Sequence, residues 1–126
     1  MSHTLRDIPD TYSRRAYLSH QADQVKGSQE FYRIYQALKH GSAEKKIVDS
    51  ALDKLKRNRM VGEKIQRPHW PPSYVKRYGI NNLWKYNLSK AARLIYTILS
   101  ENGRWIAIVL EMFLTHKEYE KRFGYR

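Results

Sequence analysis

The sequence predicts an α+β fold in which a helical hairpin packs on one face of a small antiparallel sheet, in the order β-α-α-β-β-β with a candidate helical turn at the C-terminus. Three observations carry this expectation. Two runs between residues 28 and 60 space their apolar side chains at the helical period, and each run opens on a serine. From Asn82 onward the apolar period changes to two, over three stretches at about 82–88, 92–99 and 104–114. Between these regions Pro68, Pro71 and Pro72 break any regular structure.

Residues 1–13 are polar, contain Pro9 and lack periodicity, so they read as a flexible N-terminal arm, and residues 14–126 as one domain. Residues 14–18 can form a short edge strand. The first helix starts at Ser28, whose hydroxyl can cap the next turn. Phe31, Ile34, Tyr35 and Leu38 make its apolar face, and Gly41 is the expected left-handed stop. Extension of this helix back toward His20 is weakened by Gly27, which costs about 1 kcal/mol relative to alanine. Ser42 opens the second helix, whose buried stripe is Ile47, Val48, Ala51, Leu52 and Leu55. So short a turn makes the two helices antiparallel neighbours. Gly62 closes that region, an extended basic loop follows to about Pro72, and residues 74–79 can form a helical turn before the three strands.

Charge is the second organising feature. Residues 54–93 hold eleven Lys and Arg against the single acid Glu63, so +10 of the net +12 is concentrated there. Such a field attracts polyanions, nucleic acid above all. The chain has no cysteine, which excludes disulfides, thiolate metal sites and cysteine nucleophiles. His3, His20 and His40 have no spacing that resembles metal ligation, so no metal and no cofactor are expected. The first ten residues lack the apolar core of a signal peptide, and the longest apolar run, 105–110, falls far short of the roughly 20 residues that span a bilayer. A soluble cytoplasmic protein is expected, with no membrane partner.

Strand register selects the candidate site. A two-residue Asn102-Gly103 loop would pair Glu101 with Arg104 and set Arg93 against Met112, leaving the apolar sets of the last two strands on opposite faces. A three-residue loop pairs Ser100 with Arg104 instead. It gathers Leu94, Tyr96 and Ile98 with Ile106, Ile108, Leu110, Met112 and Leu114 on one face. Each large aliphatic kept from water contributes about 1.5 to 3 kcal/mol, so the three-residue loop is expected, with Arg93 directly across from Glu111. In the preceding hairpin the loop Ser89-Lys90-Ala91 pairs Asn87 with Arg93 and sends Trp84, Tyr86 and Leu88 to the core. Lys85, Asn87, Arg93, Ile95, Val109, Glu111 and Phe113 would then line the other face.

The segment Asn82-Leu83-Trp84-Lys85-Tyr86-Asn87-Leu88, the element Ala92-Arg93-Leu94-Ile95-Tyr96, a glycine turn, a hydrophobic strand and Thr115-His116-Lys117-Glu118-Tyr119 together resemble the RelE/ParE superfamily of toxins from prokaryotic toxin-antitoxin pairs, over roughly residues 28–126. The resemblance implies a compact α/β fold that packs its apolar sheet face on a helical hairpin and offers the other face to RNA. Members with RelE-like activity cleave messenger RNA in the ribosomal decoding site without metal or cofactor, by attack of a 2′-hydroxyl on the adjacent phosphate. On that template Arg93 would stabilise the phosphate charge, its planar fork suiting phosphate oxygens. His116, Glu111 and Tyr119 are the candidates for general acid or base, Glu111 alternatively orienting Arg93 and Tyr119 alternatively stacking on a base or packing in a terminal helix. Lys85 is a candidate phosphate ligand. RNA-cutting branches often carry a second basic residue where this chain has Asn87, which leaves Lys85, or Lys64 and Arg67 in the loop, to supply that charge. Lys76 and Arg77 flank the loop and could guide RNA. His69 and Trp70 could reach a base, or Trp70 could anchor the loop.

The resemblance thus implies a ribosome-dependent endoribonuclease toxin, with a cognate antitoxin, the ribosome and mRNA as partners. Two alternatives stay open: a non-catalytic ParE-like inhibitor of a topoisomerase, and an inactive RNA-binding relative.

Overall fold

The computed structural model describes residues 20–124, so the expected N-terminal arm and the expected strand at 14–18 lie outside the described residues. The elements are β1 (Gln24–Gly27), α1 (Gln29–Ala37), α2 (Ala43–Arg57), β2 (Glu63–Lys64), a 3-10 turn (Arg67–His69), α3 (Pro72–Tyr78), β3 (Trp84–Asn87), β4 (Arg93–Glu101), β5 (Arg104–Phe113) and α4 (His116–Phe123). They build a five-stranded sheet in the order β1-β5-β4-β3-β2, with β1 parallel to β5 and the other pairs antiparallel. The α+β class, the hairpin on one face and the three C-terminal strands agree with the sequence prediction.

Both hairpin helices start where the serines place them. Ser28 Oγ accepts from the Phe31 amide at 3.0 Å and Ser42 Oγ from the Lys45 amide at 3.2 Å, each satisfying a donor the helix leaves free. Gly41 is left-handed as expected (φ 79°), but α1 has already ended at Ala37. Upstream of Ser28 the chain is a strand rather than more helix. It pairs with β5, and a Cβ on Gly27 there would lie 2.5 Å from Phe31 Cδ2, so the ring needs the glycine beside it. Phe31, Val48, Ala51 and Leu55 of the hairpin meet Trp84, Leu94, Tyr96, Ala107, Val109 and Met112 of the sheet in one buried core. Ile47, expected in the buried stripe, is exposed.

The β4–β5 register differs from the one expected. Asn102 (φ 52°) and Gly103 (φ 77°) are both left-handed, the signature of a two-residue turn, and Glu101 pairs with Arg104. A bulge then follows: Ile95 pairs with Glu111 but Tyr96 with Val109, so Leu110 is the extra residue. Arg93 consequently faces Phe113, not Glu111. The three-residue loop follows only if one sheet face alone is buried. In fact a second core covers the other face. Ile65, Trp70, Tyr74, Ile80 and Leu83 from the segment after α2 pack with Tyr119 and Phe123 of α4 onto Ile95, Leu110 and Phe113. Ile108 and Leu110 therefore find cover on this second face, while the bulge keeps Val109 and Met112 both against the hairpin.

The β3–β4 hairpin follows the sequence reading. Asn87 pairs with Arg93, and Trp84, Tyr86 and Leu88 belong to the hairpin-side core. Trp70 anchors the proline-rich segment, its Nε1 donating to the Ile65 carbonyl at 2.7 Å.

Candidate functional site

Three of the residues singled out by sequence converge on the ring of a fourth, Tyr119. Tyr119 sits in α4, which Thr115 caps by accepting from the Glu118 amide at 3.2 Å and Gly124 ends in the left-handed conformation. The spacing of four between Tyr119 and Phe123 points both rings into the second core, where they are 2% and 9% exposed. Around the Tyr119 ring lie the Arg93 guanidinium carbon at 5.7 Å from the centroid, Lys85 Nζ at 5.9 Å and the His116 ring at 6.1 Å. These groups come from β4, β3 and the first turn of α4. Both cations lie over the ring, at the outer limit of the distance at which its negative face attracts a charge.

Each polar member has a second partner. Arg93 Nη1 donates to the carbonyls of Ser89 and Lys90 at 3.0 Å and of Ala92 at 3.1 Å, so the side chain ties down the hairpin loop that precedes it. Its Nε is buried with no hydrogen-bond partner. Lys85 Nζ lies 3.9 Å from Glu63 Oε1 across the β2–β3 pair. His116 Nε2 is 3.3 Å from Glu120 Oε2, one turn on, and the imidazole is half exposed. Asn87 is exposed beside Arg93 in the sheet.

Glu111 is elsewhere. Only 8% exposed, it accepts from the Tyr74 hydroxyl and from Arg122, whose Nε lies 3.0 Å from Oε1 and Nη2 3.1 Å from Oε2. Burial first, and then the Glu111 carboxylate, push the Tyr74 phenol far above its ordinary range. The expected Arg93–Glu111 pairing is therefore replaced by a node joining β5, α3 and α4. Val109, also expected on the Arg93 face, belongs to the hairpin-side core.

The remaining expected basic residues scatter. Lys64 points away from Lys85 and lines a groove with Arg59, Met60, Trp84 and Trp105 on the hairpin side. Arg67 stacks over Trp70 at 4.6 Å, and Arg77 pairs with Glu30 of α1 at 3.2 Å. Lys76 and His69 are exposed. Among the described residues no three His, Asp or Glu side chains gather in a group that could hold a metal. Sequence reasoning missed Tyr74 and Arg122, whose role depends on a bulge that no local pattern marks. Glu120 was legible as the i+4 neighbour of His116.

No protein-family model matches the sequence, and no curated protein matches it either. Among solved structures the chain is similar to a YoeB/ParE toxin from Agrobacterium tumefaciens, with a TM-score of 0.52 and 12% identity over 81% of this chain and 99% of that one. At such low identity the likeness is one of backbone. Together with the helical hairpin, the antiparallel β3–β4–β5 meander and the terminal helix, it gives this chain the fold of the RelE/ParE toxins.

Proposed function

We propose that the chain is the toxin of a toxin-antitoxin pair and acts as a metal-independent, ribosome-dependent mRNA endoribonuclease in the cytoplasm, with a cognate antitoxin as its second partner. The observation that carries this reading is the convergence of Arg93, Lys85 and His116 on the Tyr119 ring. Cleavage by an internal nucleophile needs three things from the protein. It must align the 2′-oxygen with phosphorus and the departing 5′-oxygen, balance the charge that grows on the phosphate, and move two protons. As the bond from the 2′-oxygen to phosphorus forms and the bond to the 5′-oxygen breaks, one proton leaves the 2′-hydroxyl and another reaches the 5′-oxygen. The products are a 2′,3′-cyclic phosphate and a 5′-hydroxyl.

Arg93 supplies the charge. With Nη1 committed to the hairpin carbonyls and Nε buried, Nη2 is the donor group left for phosphate oxygens. Lys85 adds a second cation at the same ring and fills the place left by the neutral Asn87. His116, half exposed and carried on the capped turn of α4, gives or takes a proton. Tyr119 is too buried to stack on a base and acts as the floor that spaces the three groups. Glu111, with both oxygens engaged, is not the base in this reading.

One observation favours a second reading. An arginine that ties down its own hairpin loop has a structural task, and a ParE-like protein that inhibits a topoisomerase through protein contact would need no more from it. Induction in a bacterial host with mapping of transcript 5′ ends separates the two. The proposal expects growth arrest with new 5′-hydroxyl ends within translated regions. Growth arrest with intact messages and failed supercoiling would sink it.

A further inference from the structure

We infer that Glu111 and Arg122 are positioning residues, an ion pair between a buried carboxylate and a half-exposed guanidinium that sets where α4 presents His116 and Tyr119 to Arg93. Its kinetic consequence rests on the cleavage reading above, whereas its geometric consequence does not.

Helix α4 has eight residues, too few to hold a helix unaided. Tyr119 and Phe123 give it burial, but apolar packing is weakly directional, and an amphipathic turn can shift along a core with little loss of buried area. The Arg122 fork is directional. It meets Glu111 with Nε on one oxygen and Nη2 on the other, at 3.0 and 3.1 Å, so both the rotation and the axial position of the helix are defined. His116 lies six residues before Arg122, roughly 9 Å along a rigid helix axis, so an error at one end is carried to the other.

The sheet side is equally specified. The bulge at Leu110 turns Glu111 to the α4 side of β5, and Tyr74 of α3 donates a hydroxyl to the same carboxylate. The Glu111 carboxylate is buried and needs partners, but the Arg122 side chain is 41% exposed, so the pair is only partly withdrawn from water and contributes little stability by itself. Adhesion already comes from Tyr119 and Phe123 and gives this node little reason to be ionic. Placement gives it one, because the reacting groups it spaces must sit within a fraction of an ångström of their working geometry.

The test uses the full chain and three variants: Arg122→Met, Arg122→Lys and the double variant E111M/R122M. Two readouts are followed, single-turnover cleavage of ribosome-bound message and the nuclear Overhauser contacts from the Tyr119 ring to the Arg93 and Lys85 side chains. Arg122→Met is expected to lower kcat by about 10²-fold with KM changed less than about twofold, and to weaken the ring contacts. Arg122→Lys, which keeps the charge but not the fork, should recover part of both. The double variant discards the charges together but leaves the Tyr74 hydroxyl without its acceptor, so its urea midpoint should fall modestly while the defects in kcat and ring contacts are retained. Wild-type contacts and wild-type kcat in the double variant would overturn the inference. If the wild type leaves ribosomal message intact, the cleavage reading fails, and the ring contacts alone decide the positioning role: loss in Arg122→Met supports it, persistence overturns it.

Discussion

Arg93 carries two tasks on one guanidinium, since Nη1 closes the β3–β4 loop while its central carbon lies 5.7 Å from the Tyr119 ring centroid. On the cleavage reading Arg93→Ala should lower single-turnover cleavage by about 10²- to 10³-fold and weaken RNA binding much less. Lys85→Ala should do the reverse, and a parallel fall of affinity and cleavage in Arg93→Ala with Lys85→Ala silent would refute this division of roles. His116→Gln should leave the circular dichroism spectrum unchanged and depress cleavage by about 10²- to 10⁴-fold. Unchanged single-turnover rates would remove the imidazole from the mechanism. A structural counterpart is Gly62, where an added Cβ would lie 2.5 Å from the Lys85 carbonyl oxygen and 3.0 Å from the Tyr96 hydroxyl. Gly62→Ala must move backbone next to the Lys85 strand, and a loss of about 1 to 3 kcal/mol in urea denaturation is expected.

The β4–β5 hairpin shows how elements constrain one another. Its turn is a local matter, and Gly103→Ala should cost about 1 to 2 kcal/mol because alanine is strained at a φ of 77°. The strand above the turn is tied outward by Tyr96, which donates to the Arg59 carbonyl at 2.8 Å and accepts from the Gly62 amide at 3.0 Å. Burial raises the Tyr96 phenol above its ordinary range, and burial with the Glu111 hydrogen bond does the same for Tyr74. A phenol whose folded value is raised contributes stability in full below its unfolded value of about 10, and that contribution falls away as pH climbs beyond it. The urea midpoint should therefore hold between pH 8 and 9.5 and drop from about pH 10 upward, with a shallower drop in Tyr96→Phe. A drop equally steep in that variant would place its cause in other groups.

For the molecule as a whole, the sheet separates two cores and contributes side chains to both, so neither can melt alone. The basic stretch looks different once folded. Arg57 pairs with Asp53 at 2.9 Å, Arg59 is buried against Trp105, Arg77 turns to Glu30, and Lys64 faces the hairpin side. Of the basic stretch, Lys85 and Arg93 lie over the Tyr119 ring. If RNA binding uses chiefly those two cations, the slope of log affinity against log salt should be about −1.4, whereas ten phosphate contacts would give about −7. Titration across salt concentrations distinguishes the two.

Helix starts at Ser28 and Ser42 and the Asn87–Arg93 register were legible in the sequence. Each depends on residues close in the chain, where capping and loop length leave few choices. The prolines were not: Pro68 sits in the 3-10 turn and Pro72 opens α3, where an extended loop was expected. The placement of Glu111 was not legible. It depends on which faces are buried, and the second face is covered by Tyr74, Tyr119 and Phe123, whose arrival over β5 no local pattern announces. The sequence by itself thus determined the two hairpin helices, the three C-terminal strands and the residue types available to the site. The tertiary structure decided the β1 strand, the bulge at Leu110 and the transfer of Glu111 from Arg93 to Arg122, because burial of a strand face is a property of everything packed against it.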